Sequence, residues 1–145
     1  MSLRAEFSKK TKDALAARVA YRCSFPGCGR ITIGPGNSHS EHFVNLGEAS
    51  HIYGASENGP RPKPSLTIEE RSAISNGIWL CKSHARLIDI DTNNFSAETL
   101  LLWKEQAEKK IYGKLMDLEK DGELDSQTLI ALQNLLVCSA KWISV

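Results

Sequence analysis

The sequence predicts an α+β domain that opens with a helix, continues through a strand pair completed by a short helix, and closes with helices. Two observations predict it. Between Cys23 and His84, short extended runs alternate with Gly-, Pro- and Asn-bearing turns, whereas beyond Ser96 apolar residues recur at three- and four-residue spacing. The 145 residues, 41% hydrophobic and 24% charged, suffice for one core and exclude wholesale disorder.

Taken in order, Ser8 can cap a helix from Lys9 to about Tyr21, with Ala14, Leu15 and Val19 inward. Cys23-Ser24-Phe25-Pro26-Gly27-Cys28-Gly29 reads as a knuckle, since Pro and Gly permit a tight reversal. Arg30 to Ile33 is expected as a short strand, Gly34 to Ser40 as a polar loop, and Phe43 to Leu46 as the lead into a second extended stretch, Gly47 to Ile52. Pro60, Pro62 and Pro64 make Gly54 to Ser65 a loop. Thr67 and Glu70 form a capping box for one or two helical turns through Ile74. Asn76-Gly77 predicts a turn, Ile78 to Leu80 a strand, and Ser83 to Ile88 a short helix. Ser96 can cap a long helix carrying Leu100, Trp103, Ala107, Ile111, Leu115 and Leu118 on one face, ending near Gly122; Asp125 can cap a last helix with Leu129, Leu132, Leu136, Ala140 and Ile143 aligned.

A net charge of +1 lacks the basic surplus that usually accompanies nucleic-acid binding, although the charge is unevenly spread. Lys9, Lys10, Lys12, Arg18, Arg22 and Arg30 crowd the first part, whereas Glu105, Glu108, Asp117, Glu119, Asp121, Glu123 and Asp125 load the last. Solvated helix faces account for this equally well. No apolar run approaches the roughly 20 residues of a membrane span, and the N-terminus opens without a signal-peptide stretch, so a soluble, cytoplasmic protein with no membrane partner is expected. In a reducing compartment, its cysteines point to metal ligation or free thiols rather than disulfides.

Cys23 and Cys28 are separated by four residues, Cys81 and His84 by two, so two chelating turns can close one tetrahedral Cys₃His site. Thiolate and imidazole suit Zn2+, and four protein ligands leave no open position, which marks the zinc as structural. Burial as small hydrophobes is the alternative reading. Cys138 lacks a partner spacing and reads as a core thiol; His39 and His42 fall in a polar loop with no assigned role.

Gly47 to Ile52, Gly59-Pro60-Arg61, Asn76 to Cys81, and His84 through Ile88-Asp89 together resemble the HNH endonucleases, zinc-bearing ββα-metal nucleases, over about Ser8 to Lys104. The likeness extends to the HNH domains of bacterial anti-phage effectors activated by cyclic oligonucleotides. It implies a ββα-metal nuclease core, with a zinc knuckle, an HNH nuclease domain over 1–104 and a C-terminal helical extension over 105–145. It also implies cleavage of DNA, expected to be double-stranded, with His51 as the general base that activates water and Asn76 as the residue that braces the loop behind it.

Two positions depart from the family pattern. Where the family places a metal-binding His on the helix this chain has Ala85, and where it often places an Asp before the catalytic His this chain has Ser50. Asp89, four residues after Ala85, is the candidate replacement ligand for a catalytic Mg2+ or Mn2+, with a turn aspartate as the alternative; Glu48 is a further candidate. The likeness implies a regulatory sensor domain, fused or separate, for which the 145 residues leave no room. The last helix offers either a homodimer surface or an αα-hairpin with its long neighbour. From another functional class, a non-catalytic zinc module binding nucleic acid or a protein partner also accommodates the cysteines; it leaves His51 unexplained.

Overall fold

Ser8 caps α1 (Lys9–Arg18), its side chain accepting from the Thr11 amide, and Leu15, Ala16 and Val19 form the buried side. The computed structural model describes residues 3–116, 130–131 and 133–135. α1 ends three residues before the expected Tyr21 because Ala20 and Tyr21 take left-handed backbone, φ 51° and 58°, which turns the chain into the knuckle.

Among the described residues, four strands form two separate antiparallel pairs. β1 (Ile33–Pro35) pairs with β2 (Phe43–Asn45), so the expected strand at Arg30 to Ile33 is displaced C-terminally and the expected polar loop begins only after Pro35. Residues 30–32 make instead one isolated bridge, Arg22 to Ile31, and a bond from the Thr32 amide to the Tyr21 carbonyl, 2.9 Å. Phe43 to Ile52 is not one extended stretch either. The chain bends at Leu46, whose N–H donates to Thr32 and whose carbonyl accepts from Lys82, while Asn45 Oδ1 takes the Gly47 amide at 2.9 Å.

β3 (Gly47–His51) then pairs with β4 (Gly77–Cys81), Gly47 opposite Cys81 and His51 opposite Gly77. The register puts Cys81 and His51 at opposite ends of the ladder. Between them lie the loop over 54–65, α2 (Ile68–Arg71) with its Thr67/Glu70 capping box, and a 3₁₀ turn (Ile74–Asn76) where a simple turn was expected. α3 (Lys82–Ile90) follows β4 directly and packs on both strands, giving the order strand, strand, helix.

Ser96 caps α4 (Ala97–Leu115), accepting from the Thr99 amide at 3.2 Å. Leu100 is fully buried with Ile52, Ile78, Leu80 and Ile88, and Trp103 packs beside them; Ala107 and Ile111 meet Ala16, Val19 and Trp79. Arg18 and Lys104 both pair with Glu108, joining α1 to α4, and Lys104 also donates to the carbonyls of Ile74 and Gly77. Burial holds the Lys104 ammonium below its ordinary range, whereas the Arg18 hydrogen bond lowers Glu108.

The chain divides into two units, Met1–Ile111 and Tyr112–Val145. In the second, residues 130–131 and 133–135 are helical, within the last helix expected from the sequence. Leu118, Gly122, Asp125, Leu129, Leu132, Leu136, Cys138, Ala140 and Ile143, and with them the expected dimer surface, lie outside the described residues. Among the described residues no helix is long and apolar enough to cross a membrane.

Candidate functional site

Two glycines shape the knuckle. Gly27 and Gly29 adopt φ of +80° and +56°, which a side chain would strain, and the turn closes with Cys28 N–H donating to Phe25 and Cys23 N–H to Arg30, both 3.0 Å. A third bond, Ser24 N–H to the Trp79 carbonyl at 3.0 Å, fastens the knuckle to β4. Since β4 ends at Cys81 and α3 begins at Lys82, His84 sits one turn along and faces back toward Cys81.

The ligand atoms of Cys23, Cys28, Cys81 and His84 all lie within 4.8 Å of one another. His84 Nδ1 is 3.5 Å from Cys23 Sγ and 3.3 Å from Cys81 Sγ. A tetrahedral zinc bound at its usual lengths requires N···S edges of about 3.5 Å, so this donor set fits the ion in chemistry and, along these two edges, in size. The His84 ring stacks on Phe25, centroids 3.8 Å apart, and Phe25 in turn meets Phe95 and Trp103 edge to face. Burial pushes the Cys23 thiol up to about 12, so a bound cation must displace a proton that the site otherwise keeps.

At the other end of the ladder His51 lines a cleft of about 700 Å³ between α1, β3 and the 54–65 loop. Its imidazole stacks on Phe7, centroids 4.0 Å apart and planes 14° from parallel. Nε2 is buried without a hydrogen-bond partner. Burial holds the imidazole below its ordinary range; the Ala5 backbone and the Glu6 carboxylate pull the other way.

Asn76, 6% exposed, braces the chain behind this histidine. Its Oδ1 accepts from Tyr53 N–H at 2.8 Å, and its Nδ2 donates to the carbonyls of Tyr53 and Arg71, both 2.9 Å. Arg61 does more than the sequence indicated. Its guanidinium donates to the carbonyls of His51, Ile52 and Ile88 at 3.0, 2.7 and 2.6 Å and pairs with Asp89 at 2.7 Å, tying the end of β3 to the end of α3. The residue also holds φ 50°. Nothing in Gly59-Pro60-Arg61 signals such a role, because it depends on carbonyls brought together only in the fold.

Asp89 borders the same cleft as His51; its side chain is half-exposed, and one carboxylate oxygen, Oδ1, pairs with Arg61. Among the described residues, Cys23, Cys28, Cys81 and His84 are the one group of three or more His, Cys, Asp or Glu gathered closely enough for a metal ion, so neither Asp89 nor exposed Glu48 belongs to a second. Ala85 faces the core with Ile88, and Ser50 is buried. The helix position at which the HNH pattern places a metal-binding His is here a packing position. The described donors form no second cluster for a cation, and no step is assigned to magnesium or manganese.

Charge in the cleft is balanced: Arg4 pairs with Glu6 and Lys9 with Asp13, both at 2.6 Å, Arg61 pairs with Asp89, and Lys12 and Glu48 each have no ion-pair partner among the described residues. No protein-family model matches the chain, and no curated protein matches its sequence.

Proposed function

We propose that this protein is a nuclease of the ββα-metal type that hydrolyses phosphodiester bonds in DNA, with His51 as general base and a structural zinc held by Cys23, Cys28, Cys81 and His84. The observation that carries the reading is the joint layout of the β3, β4 and α3 segment. One end bears a closed Cys₃His cluster, and the other a half-buried histidine whose backbone is fixed by Asn76 and Arg61 beside a polar cleft. A structural zinc module requires the first end and has no use for the second.

In this reading His51 Nδ1 takes a proton from a water as the water oxygen bonds to phosphorus; one ester P–O bond breaks, and the departing oxygen takes a proton from solvent water, giving a phosphate monoester and an alcohol, while the imidazolium returns its proton to solvent. Lowered basicity favours the neutral imidazole near pH 7, the form that can accept the proton. Asn76 and Arg61 act by position, holding the strand end from which His51 projects. Lys12 supplies unpaired positive charge where a phosphate would lie.

One observation favours a non-catalytic zinc module: the Arg61–Asp89 pair occupies the carboxylate best placed to hold a catalytic cation. Plasmid cleavage, with magnesium or manganese and without either, separates the two readings. The nuclease reading expects nicking by wild type and a loss of about 10²- to 10⁴-fold in His51→Ala, the usual contribution of a positioned base. Equal products from both proteins, or none from wild type under any condition, would leave the zinc module.

A further inference from the structure

We propose that Phe7 is a positioning residue for His51: its ring fixes the plane of the imidazole so that Nδ1 faces the cleft and Nε2 stays inside. The inference rests on the reading of His51 as general base and adds the device that aims it. A histidine base usually has its ring oriented by a carboxylate or carbonyl hydrogen bond to the second nitrogen. Here no side chain hydrogen-bonds the His51 ring among the described residues, Nε2 has no hydrogen-bond partner, and the polar contact on the ring is with the Ala5 backbone. A flat neighbour adds the constraint on the ring plane that one such contact leaves open.

The geometry supports that role. Phe7 is 5% exposed and lies nearly parallel to the imidazole at 4.0 Å, so rotation of the His51 ring about χ2 would drive its edge into the phenyl face. Phe7 is itself held. The preceding residue but one, Ala5, is 1% exposed and donates its N–H to the Ala55 carbonyl at 2.9 Å, while α1 starts directly after at Lys9. On the far end of the phenyl ring, Cζ comes so near Gly77 that a Cβ there would stand 3.2 Å from it and 2.5 Å from Leu15 Cδ1. Gly77 is the residue paired with His51 across the ladder, so its missing side chain gives Phe7 room to reach the imidazole.

The same ring shields one face of the imidazole from water. The charged groups bordering this part of the cleft are Arg4 and Glu6 on the N-terminal segment, Glu48 on β3, Arg61 on the loop and Asp89 on α3; the β4 residues opposite carry none. Losing the phenyl face would therefore wet the imidazole and raise its basicity while freeing its rotation.

The test uses the full chain with histidine ring nitrogens labelled, comparing wild type with Phe7→Leu and with Phe7→Met, which keep apolar volume and remove the flat face. Zinc content and melting temperature report the fold. In wild type, nitrogen NMR should show one neutral tautomer for His51, protonated at Nε2, with a titration midpoint below the ordinary range. In the variants the tautomers should mix and the midpoint should rise, with kcat for plasmid cleavage falling about tenfold at unchanged KM, as expected for a disoriented base. An unchanged His51 spectrum and midpoint in a folded variant overturns the proposal, as does a mixed tautomer in wild type, which can be read even if neither variant folds. Absence of cleavage by wild type would remove the nuclease reading alone, because the tautomer and titration are measured without substrate.

Discussion

Both histidines that matter in this protein lie flat on a phenylalanine, His84 on Phe25 at 3.8 Å and His51 on Phe7 at 4.0 Å, and both belong to the same strand, strand and helix segment. Their remaining neighbours differ. His84 meets three thiols and is boxed by Phe95 and Trp103 beyond Phe25. His51 has no hydrogen-bonding side chain among the described residues, meets the Ala5 backbone, and opens on charged groups of both signs. Aromatic stacking orients either ring at a gain of about 1 kcal/mol, so it cannot decide the chemistry; the second set of neighbours does. Soft donors converge at one end closely enough to hold a metal ion, while at the other the imidazole borders an open polar cleft, and the proposed structural and catalytic roles rest on that difference.

The sharpest way to break this contrast is to remove the metal end. Cys81→Ser, or chelation of the purified protein, is expected to abolish the cooperative thermal transition, since structural zinc contributes on the order of 10 kcal/mol to folding in small domains. Elemental analysis should find about one zinc per chain beforehand. A melting curve unmoved by chelator would make the four residues ordinary core.

The histidine end should behave oppositely. His51→Ala should retain its zinc and melt within a few degrees of wild type, while cleavage falls by about 10²- to 10⁴-fold. Coincident loss of zinc and fold would mean that His51 serves architecture.

Arg61 connects the two behaviours, because it is nearly buried yet spends its hydrogen bonds on the strand that carries His51. Arg61→Lys cannot reach three carbonyls and Asp89 at once, and should cost about 3 kcal/mol in urea unfolding. It should also free Asp89. If magnesium or manganese then stimulates cleavage in the variant, the ion pair is what keeps a hard cation out.

The smallest effect concerns pH. Burial lowers the folded-state basicity of His51 from the ordinary 6.5, so the unfolded chain binds more protons below that value. The stability tied to the neutral ring is complete above pH 6.5 and is lost as pH falls below it. Zinc release adds a dependence of the same sign, so the check is the difference between wild type and His51→Gln in urea midpoints between about pH 8 and 5.5. A constant difference would show that His51 titrates alike in both states.

The sequence by itself determined the local features whose physics is local. Ser8, Thr67 and Ser96 cap helices because a side-chain oxygen needs only the amide three residues on, and the apolar spacing of Leu100, Trp103, Ala107 and Ile111 needs only one helix face turned inward. Cys23, Cys28, Cys81 and His84 were also legible, since each half of the cluster is a short turn with chelating spacing. Tertiary structure decided what depends on distant partners. Left-handed Ala20 and Tyr21 shortened α1, the bond between Leu46 and Thr32 split one extended stretch into two sheets, and the Arg61 ion pair engaged the carboxylate that helical spacing had offered to a metal. Phe7 came to rest on His51, forty-four positions away in the chain, for the same reason: a stacking partner is chosen by the three-dimensional path of the backbone, and no spacing in the sequence encodes that path.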